Sequence, residues 1–171
     1  MKTFPLLRII FLIFFITPSI ANDIYFIDMD RLMNQSEAGI NINKKIKNLK
    51  ETKDIKIKKD QENLKKKETD LLNQKNVISA ELFNEKLLAL KKEINKFKKM
   101  SDMELKDFKN KKIEYTSKLL NNINPILKDY VQSKNIPVLL QKKNIILGAN
   151  KFDITNEIIK ILNLKVKDIK L

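Results

Sequence analysis

From residue 37 to residue 134 the chain has no proline before Pro125 and no glycine after Gly39. These residue types interrupt helices most strongly, proline through its missing N–H and glycine through its backbone freedom. Nearly 100 lysine-rich residues almost free of both read as two long helices folded back on each other. With 33% of residues charged, two glycines and no Trp, the composition suits exposed helices rather than a sandwich or a doubly wound sheet. The expected fold is mainly α with a small β base: a long antiparallel helical hairpin, coiled-coil-like, standing on a strand-containing oligomerisation base. A length of 171 residues allows one such domain plus processing segments.

The apolar periodicity sets the arm's expected quality. On the outgoing helix the stripe runs Ile42, Ile46, Leu49, Ile57, Leu64 and Leu71, about one apolar residue per heptad beyond Leu49. A robust coiled coil fills two positions per heptad. The far half of the arm is therefore expected to pack weakly and to fray. The sequence Asn73-Gln74-Lys75-Asn76 breaks the pattern, and Ser79 with Glu81 reads as a new helix start, so the arm tip falls at residues 73–79. The returning helix carries a fuller seam of Phe83, Leu87, Leu90, Ile94 and Phe97, continued by Phe108. Pro125 lies in the last apolar section and is expected to kink the helix near Asn121.

The flanks supply the rest. Residues 1–21 carry Lys2 and Arg8, an apolar run from Ile9 to Ile16, and small residues at Ser19 and Ala21, the pattern of an export signal cleaved between Ala21 and Asn22. The run is short for a membrane span, which needs roughly 17 to 25 apolar residues. Residues 22–36 form the first part of the base, with Ile24-Tyr25-Phe26-Ile27 as a strand apolar on both faces and Ser36 as the N-cap of the first long helix. Residues 135–163 complete the base. Val138-Leu139-Leu140 and Ile145-Ile146-Leu147, joined at Lys142-Lys143-Asn144, read as a hairpin, followed by a closing helix after Asp153 and a frayed tail over 164–171.

Chemistry is narrowed by what is missing. The chain has no Cys and no His, which removes the ligands of ordinary zinc sites, the usual general base and the common nucleophilic arrangements. Carboxylate pairs such as Asp28 and Asp30, or Asp102 and Glu104, lack an enclosing pocket and read as surface charges. No enzyme activity, metal or cofactor is expected. Removal of residues 1–21 leaves a net charge of +12, and residues 44–118 alone hold 23 Lys against 13 Asp and Glu. Only Arg8 and Arg31 are arginine. Lysine supplies diffuse point charge rather than a bidentate fork, so the surface suits acidic partners that differ in detail.

Two groups of residues follow as candidates. Lys91, Lys92, Lys96, Lys98, Lys99, Met100 and Met103 form a diffuse contact surface on the returning helix, the methionines adding adaptable apolar contact. Taken singly each lysine is a solvated side chain; the collective excess is the signal. Ile24, Phe26, Val138, Leu140, Ile145 and Leu147 are apolar on strands too short to bury both faces in a monomer, which points to subunit association.

In this order the segments resemble the OmpH/Skp family of periplasmic chaperones. Ile24 to Leu32 is similar to the family's first strand with its Asp-x-x-Arg ending at Asp28 and Arg31. Ser36-Glu37-Ala38-Gly39 is similar to its helix start, Pro125-Ile126 to a proline in its returning helix, and Asp153 to Ile159 to its closing helix. The resemblance implies a homotrimer whose bases associate and whose arms enclose a cavity. It further implies a periplasmic holdase, working without ATP, for unfolded outer-membrane proteins; separately, the basic arm would attract negatively charged lipid, which makes lipopolysaccharide or an anionic membrane surface a further candidate partner. Charge alone would also allow a basic hairpin that binds nucleic acid, which the export signal disfavours, or a coiled-coil adaptor of the cell envelope, which would carry a better-filled seam.

Overall fold

A computed structural model describes residues 23–167 and residue 169. The expected export signal and its cleavage point lie outside the described residues. Strand β1 (Ile24–Ile27) leads into a short helix α1 (Met29–Gln35), the outgoing arm helix α2 (Glu37–Asn73) and the returning helix α3 (Ala80–Ser133). Strand β2 (Val138–Gln141), two 3-10 turns and the closing helix α4 (Thr155–Lys165) complete the base.

Local chemistry places each boundary. The Asp28 carboxylate accepts from Arg31 N at 2.9 Å and starts α1. Ser36 ends α1 through its N–H to Leu32 O and starts α2 by accepting from Gly39 N at 3.1 Å, so one residue serves as the cap of two helices. Ser79 starts α3 in the same way, accepting from Leu82 N. At the far end of α3, Asn135 adopts φ of 51° and Ile136 N donates to Val131 O, a Schellman stop that Pro137 reinforces. Helix α3 continues as one helix through the exposed Pro125.

The arm stands on a single buried cluster at its root. Leu32 of α1, Ala38 and Ile42 of α2, Leu119, Ile123 and Ile126 of α3, and Ile154, Ile158 and Leu162 of the closing segment are all buried together with Ile27. Helix α4 touches α1, α2 and α3, which ties the first and last turns of the hairpin to the strands.

The base departs from the expected hairpin. β1 pairs with β2 in parallel, Ile24 opposite Val138 through Ile27 opposite Gln141, with the whole arm as the crossover between them. Ile145 to Leu147 form no strand; after β2 the chain enters a 3-10 turn over Lys142–Asn144 and swings to the other edge of β1, where Asp153 bridges Phe26 and Ile154 N donates to Phe26 O. A tight hairpin favours residues with positive φ in its loop. Lys142-Lys143-Asn144 contains no glycine and no residue in that region, so the reversal does not form.

The tail also departs from expectation. Helix α4 extends to Lys165, and Ile169 returns to the core at 6% exposure while Asn41 Nδ2 donates to Lys167 O at 3.2 Å. The chain leaves the helix at Val166 in an extended conformation, and the half-buried Val166 and the buried Ile169 both pack against the core cluster despite the intervening lysines.

Gly39 tests this packing. A Cβ there would lie 2.0 Å from Met33 O, so Gly39→Ala should destabilise the protein in urea denaturation although alanine is the better helix former by about 1 kcal/mol. Ile158→Ala, which hollows the fully buried cluster, should cost about 2–5 kcal/mol in the same measurement.

Candidate functional site: the cationic arm and the apolar base

Along the arm the inward face is continuous, but part of it is polar. On α2 the least exposed positions recur at Ile42, Ile46, Leu49, Lys53, Ile57, Asp60 and Leu64. On α3 they recur at Leu90, Ile94, Phe97, Ser101, Glu104, Phe108, Lys111 and Tyr115. Lys53 thus fills the gap between Leu49 and Ile57 that reads from the sequence as a missing apolar residue. The Lys53 and Glu104 side chains are only 14% and 22% exposed, and the lysine ammonium donates to the Glu104 carboxylate and, at 2.9 Å, to Asp107. Lys56 donates to the other Glu104 oxygen at 2.9 Å, and nearer the tip Lys67 pairs with Glu93 at 2.6 Å. The expected weak seam is therefore bridged by ions where apolar residues run out. The signal was present in the sequence: Lys53 lies four residues from both Leu49 and Ile57, and Glu104 falls seven after Phe97.

These contacts bias titration. Hydrogen bonds from Lys53 and then Lys56 bring the Glu104 carboxyl from 4.5 down to about 2, and the bonds that Lys53 donates to Asp107 and then Glu104 raise Lys53. In the base, burial pushes the Asp153 carboxyl up, but bonds from Thr155 and the charge of Lys142 outweigh it and the group is lowered. Asp153 accepts from Thr155 N at 3.0 Å and from the Thr155 hydroxyl, whose oxygen in turn accepts from Asp28 N at 2.9 Å, joining β1 to the start of α4.

Tipward of the Lys53–Glu104 cluster lies an open groove of about 720 Å³, with the Lys67–Glu93 pair in its wall. Leu64, Phe97 and Met100 supply its apolar lining, with Asp60, Lys67, Glu93 and Lys96 among its polar residues. Of the candidate contact residues, the structure brings Lys96 and Met100 to this groove. Lys91, Lys92, Lys98 and Lys99 are exposed along α3, as is Met103 at 68%. They form no compact site; they share a helix.

The candidate association residues divide. Ile24, Val138 and Leu140 lie on the sheet face turned away from the helices, 51%, 41% and 38% exposed. Phe26 shares that face but is buried to 5% beneath the following loop. A Cβ at Gly148 would lie 2.7 Å from the Phe26 ring, so the glycine is what lets the loop close over it. Ile145 is half-buried, whereas Leu147 is 90% exposed and its neighbour Ile146 97%.

Residues 23–162 match the family model described as Outer membrane protein (OmpH-like). The chain belongs to the OmpH-like family. Its fold is similar to the crystal structure of an OmpH-like outer membrane chaperone from Caulobacter crescentus, with a TM-score of 0.80, 15% identity and 91% of each chain covered. No curated protein sequence matches. The shared OmpH-like architecture is long helical arms on a small two-stranded base. Among the described residues no helix is long and apolar enough to cross a membrane, and no cluster of acidic residues is placed to hold a metal ion.

The ion-bridged seam has a pH signature. Because Glu104 is depressed on folding, its contribution is complete above about 4.5 and is lost as pH falls through about 2. Lys53 is raised, so its contribution is complete below 10.5 and lost at more alkaline pH still. Glu104→Gln should lower the melting temperature at neutral pH, and the gap between variant and parent should close as pH falls from 4.5 towards 2, followed by circular dichroism at 222 nm.

Proposed function

We propose that this OmpH-like protein is a periplasmic, ATP-independent holdase that keeps unfolded outer-membrane proteins soluble, acting as a homotrimer through its base. The observation that carries the reading is the division of surface: a lysine-rich arm with 23 Lys against 13 acidic residues over 44–118, and a base whose outer sheet face and following loop are apolar and exposed. The likeness in fold to the outer membrane chaperone from Caulobacter crescentus supports the same role.

The arm works by steering and by many weak contacts. Its positive potential raises the encounter rate with acidic chains, an effect that salt weakens. Exposed side chains such as Met103, Leu105 and Ile113, at 68%, 55% and 65%, offer apolar contact without a shaped pocket. Binding of this kind accumulates through avidity rather than through one dominant residue. Lipopolysaccharide or an anionic membrane surface would be attracted by the same charge. No nucleic acid is required as a partner, and no residue is assigned a catalytic role. Of the candidate association residues Ile24, Val138, Leu140 and Leu147 are left uncovered, as is their neighbour Ile146; Phe26 is buried within the protomer, and Ile145 is half-buried.

The mature protein should suppress aggregation of a denatured β-barrel protein diluted from urea, and failure to do so would sink the holdase reading. Reversing Lys91, Lys92, Lys98 and Lys99 to Glu should slow client association by about tenfold at low salt, with little effect at high salt. Leu147→Lys should leave the helical signal intact and shift sedimentation towards the monomer; an unchanged oligomer would count against association through this loop.

A further inference from the structure

The two faces that meet along the arm keep different periods. On α3 the inward positions Phe97, Ser101, Glu104, Phe108 and Lys111 alternate steps of four and three, a heptad repeat. On α2 the steps from Leu49 to Lys53, Ile57 and Asp60 are four, four and three, an eleven-residue repeat. A heptad winds a helix pair to the left and an eleven-residue step unwinds it, so α2 and α3 fall out of phase over this stretch. Lys53 stands at the step, and its long side chain reaches across to Glu104 and Asp107. The packing thins on the same stretch. Between Ile42 and Leu71 no residue of α2 is buried, and between Leu90 and Leu119 no residue of α3 is buried. At the far end the seam closes again, with Leu71 and Leu90 each 7% exposed.

We propose that the arm has an internal joint: over residues 53–67 and 93–107 the two helices part and reclose while the root and the tip stay packed. Little opposes separation there. Lys53, Lys56, Glu104 and Asp107 pass into water as charges, which water solvates well, whereas parting an apolar seam exposes surface that water disfavours. The Lys67–Glu93 pair on the groove wall is already half-exposed on both partners, so it adds little resistance. The Ser101 hydroxyl, between Phe97 and Glu104 on the inward face, is shut off from solvent with no hydrogen-bond partner among the described residues. A buried polar group left unpaired disfavours the closed state, and parting the helices hydrates it. Leu64 and Phe97, which line the groove, are only half-buried and have little further to lose. A weakly zipped arm would fray from its free end inward; a joint bends in the middle and leaves that end closed. The joint belongs to the protomer and needs neither client nor second copy.

Amide hydrogen exchange in the full mature chain tests this. Corrected for intrinsic rates, amides of 53–67 and 93–107 should exchange about tenfold faster than those around Ile42 and Leu119, and about tenfold faster than those around Leu71 and Leu90. Protection that declines steadily from root to tip is fraying and overturns the joint, as does equal protection along the arm. Lys53→Leu combined with Glu104→Leu puts apolar side chains at both seam positions and tests the cause. Exchange over the middle stretch should then slow about tenfold while that around Leu71 and Leu90 stays as in the parent. An unchanged middle stretch overturns the role given to the ion cluster. If the double variant loses its helical signal, Lys53→Met, which leaves Glu104 paired with Lys56, takes its place with the same direction expected. The outcome is separate from the holdase reading, since no client is present in the measurement.

Discussion

The closing helix clamps the two ends of the arm together, and the rest of the architecture depends on that contact. Ile158 and Leu162 are fully buried in the same cluster as Leu32, Ile42, Leu119 and Ile123, which come from α1, α2 and α3. An isolated helical hairpin gains little from propensity alone; tertiary burial at its root supplies what local structure cannot. The strands are positioned by the same cluster, since Ile27 of β1 is part of it and Thr155 at the start of α4 accepts from Asp28 N just beyond the strand. Removing α4 would therefore release the arm and the sheet at once.

Above the root, α2 and α3 hold together by alternating means. Apolar pairs near the base give way to the Lys53, Lys56, Glu104 and Asp107 cluster, then to an open groove, then to Leu71 and Leu90 near the tip. Ion pairs with half-exposed partners such as Lys56 and Asp107 are worth less than buried apolar area, because solvent screens them and ordering long side chains costs entropy. What they supply is pairing without a sticky surface: a lysine at a seam position cannot aggregate with a neighbouring chain when the seam opens. Local opening is easiest where few apolar contacts must be broken. The groove over Leu64, Phe97 and Met100 is such a place.

The sequence made the helices legible because their signals are local. Ser36 and Ser79 each precede a helix and each accept the hydrogen bond their position implies, and the long span without glycine or interior proline before Pro125 is enough for the arm. The sheet was less legible because its register is set at long range. Ile24 and Val138 pair across more than 100 residues, and nothing in Val138-Leu139-Leu140 distinguishes a parallel partner far back in the chain from an antiparallel one just ahead. Ile145-Ile146-Leu147 has strand composition without a strand because its apolar side chains have no strand partner within the protomer. The same long-range dependence hid the burial of Phe26, which needs Gly148, and of Ile169, which needs the grooves between helices. Lys53 and Glu104 escape an apolar count for a different reason: such a count treats every charge as a solvated face, although a charge at a seam position opposite its counter-ion is part of the packing.

On the proposed reading, capture and assembly sit on separate surfaces of one small chain. Apolar surface removed from water contributes about 25 cal/mol per Å², so side chains such as Ile146 and Leu147, left 97% and 90% exposed, would favour the association proposed for the base. Charge does the opposite on the arm. In the proposed assembly, the lysines would keep the shafts dispersed and wet and leave the space between them open to a chain of opposite sign. A single sequence thus concentrates cohesion where Ile24, Val138 and Leu147 lie and repulsion where residues 91–118 lie.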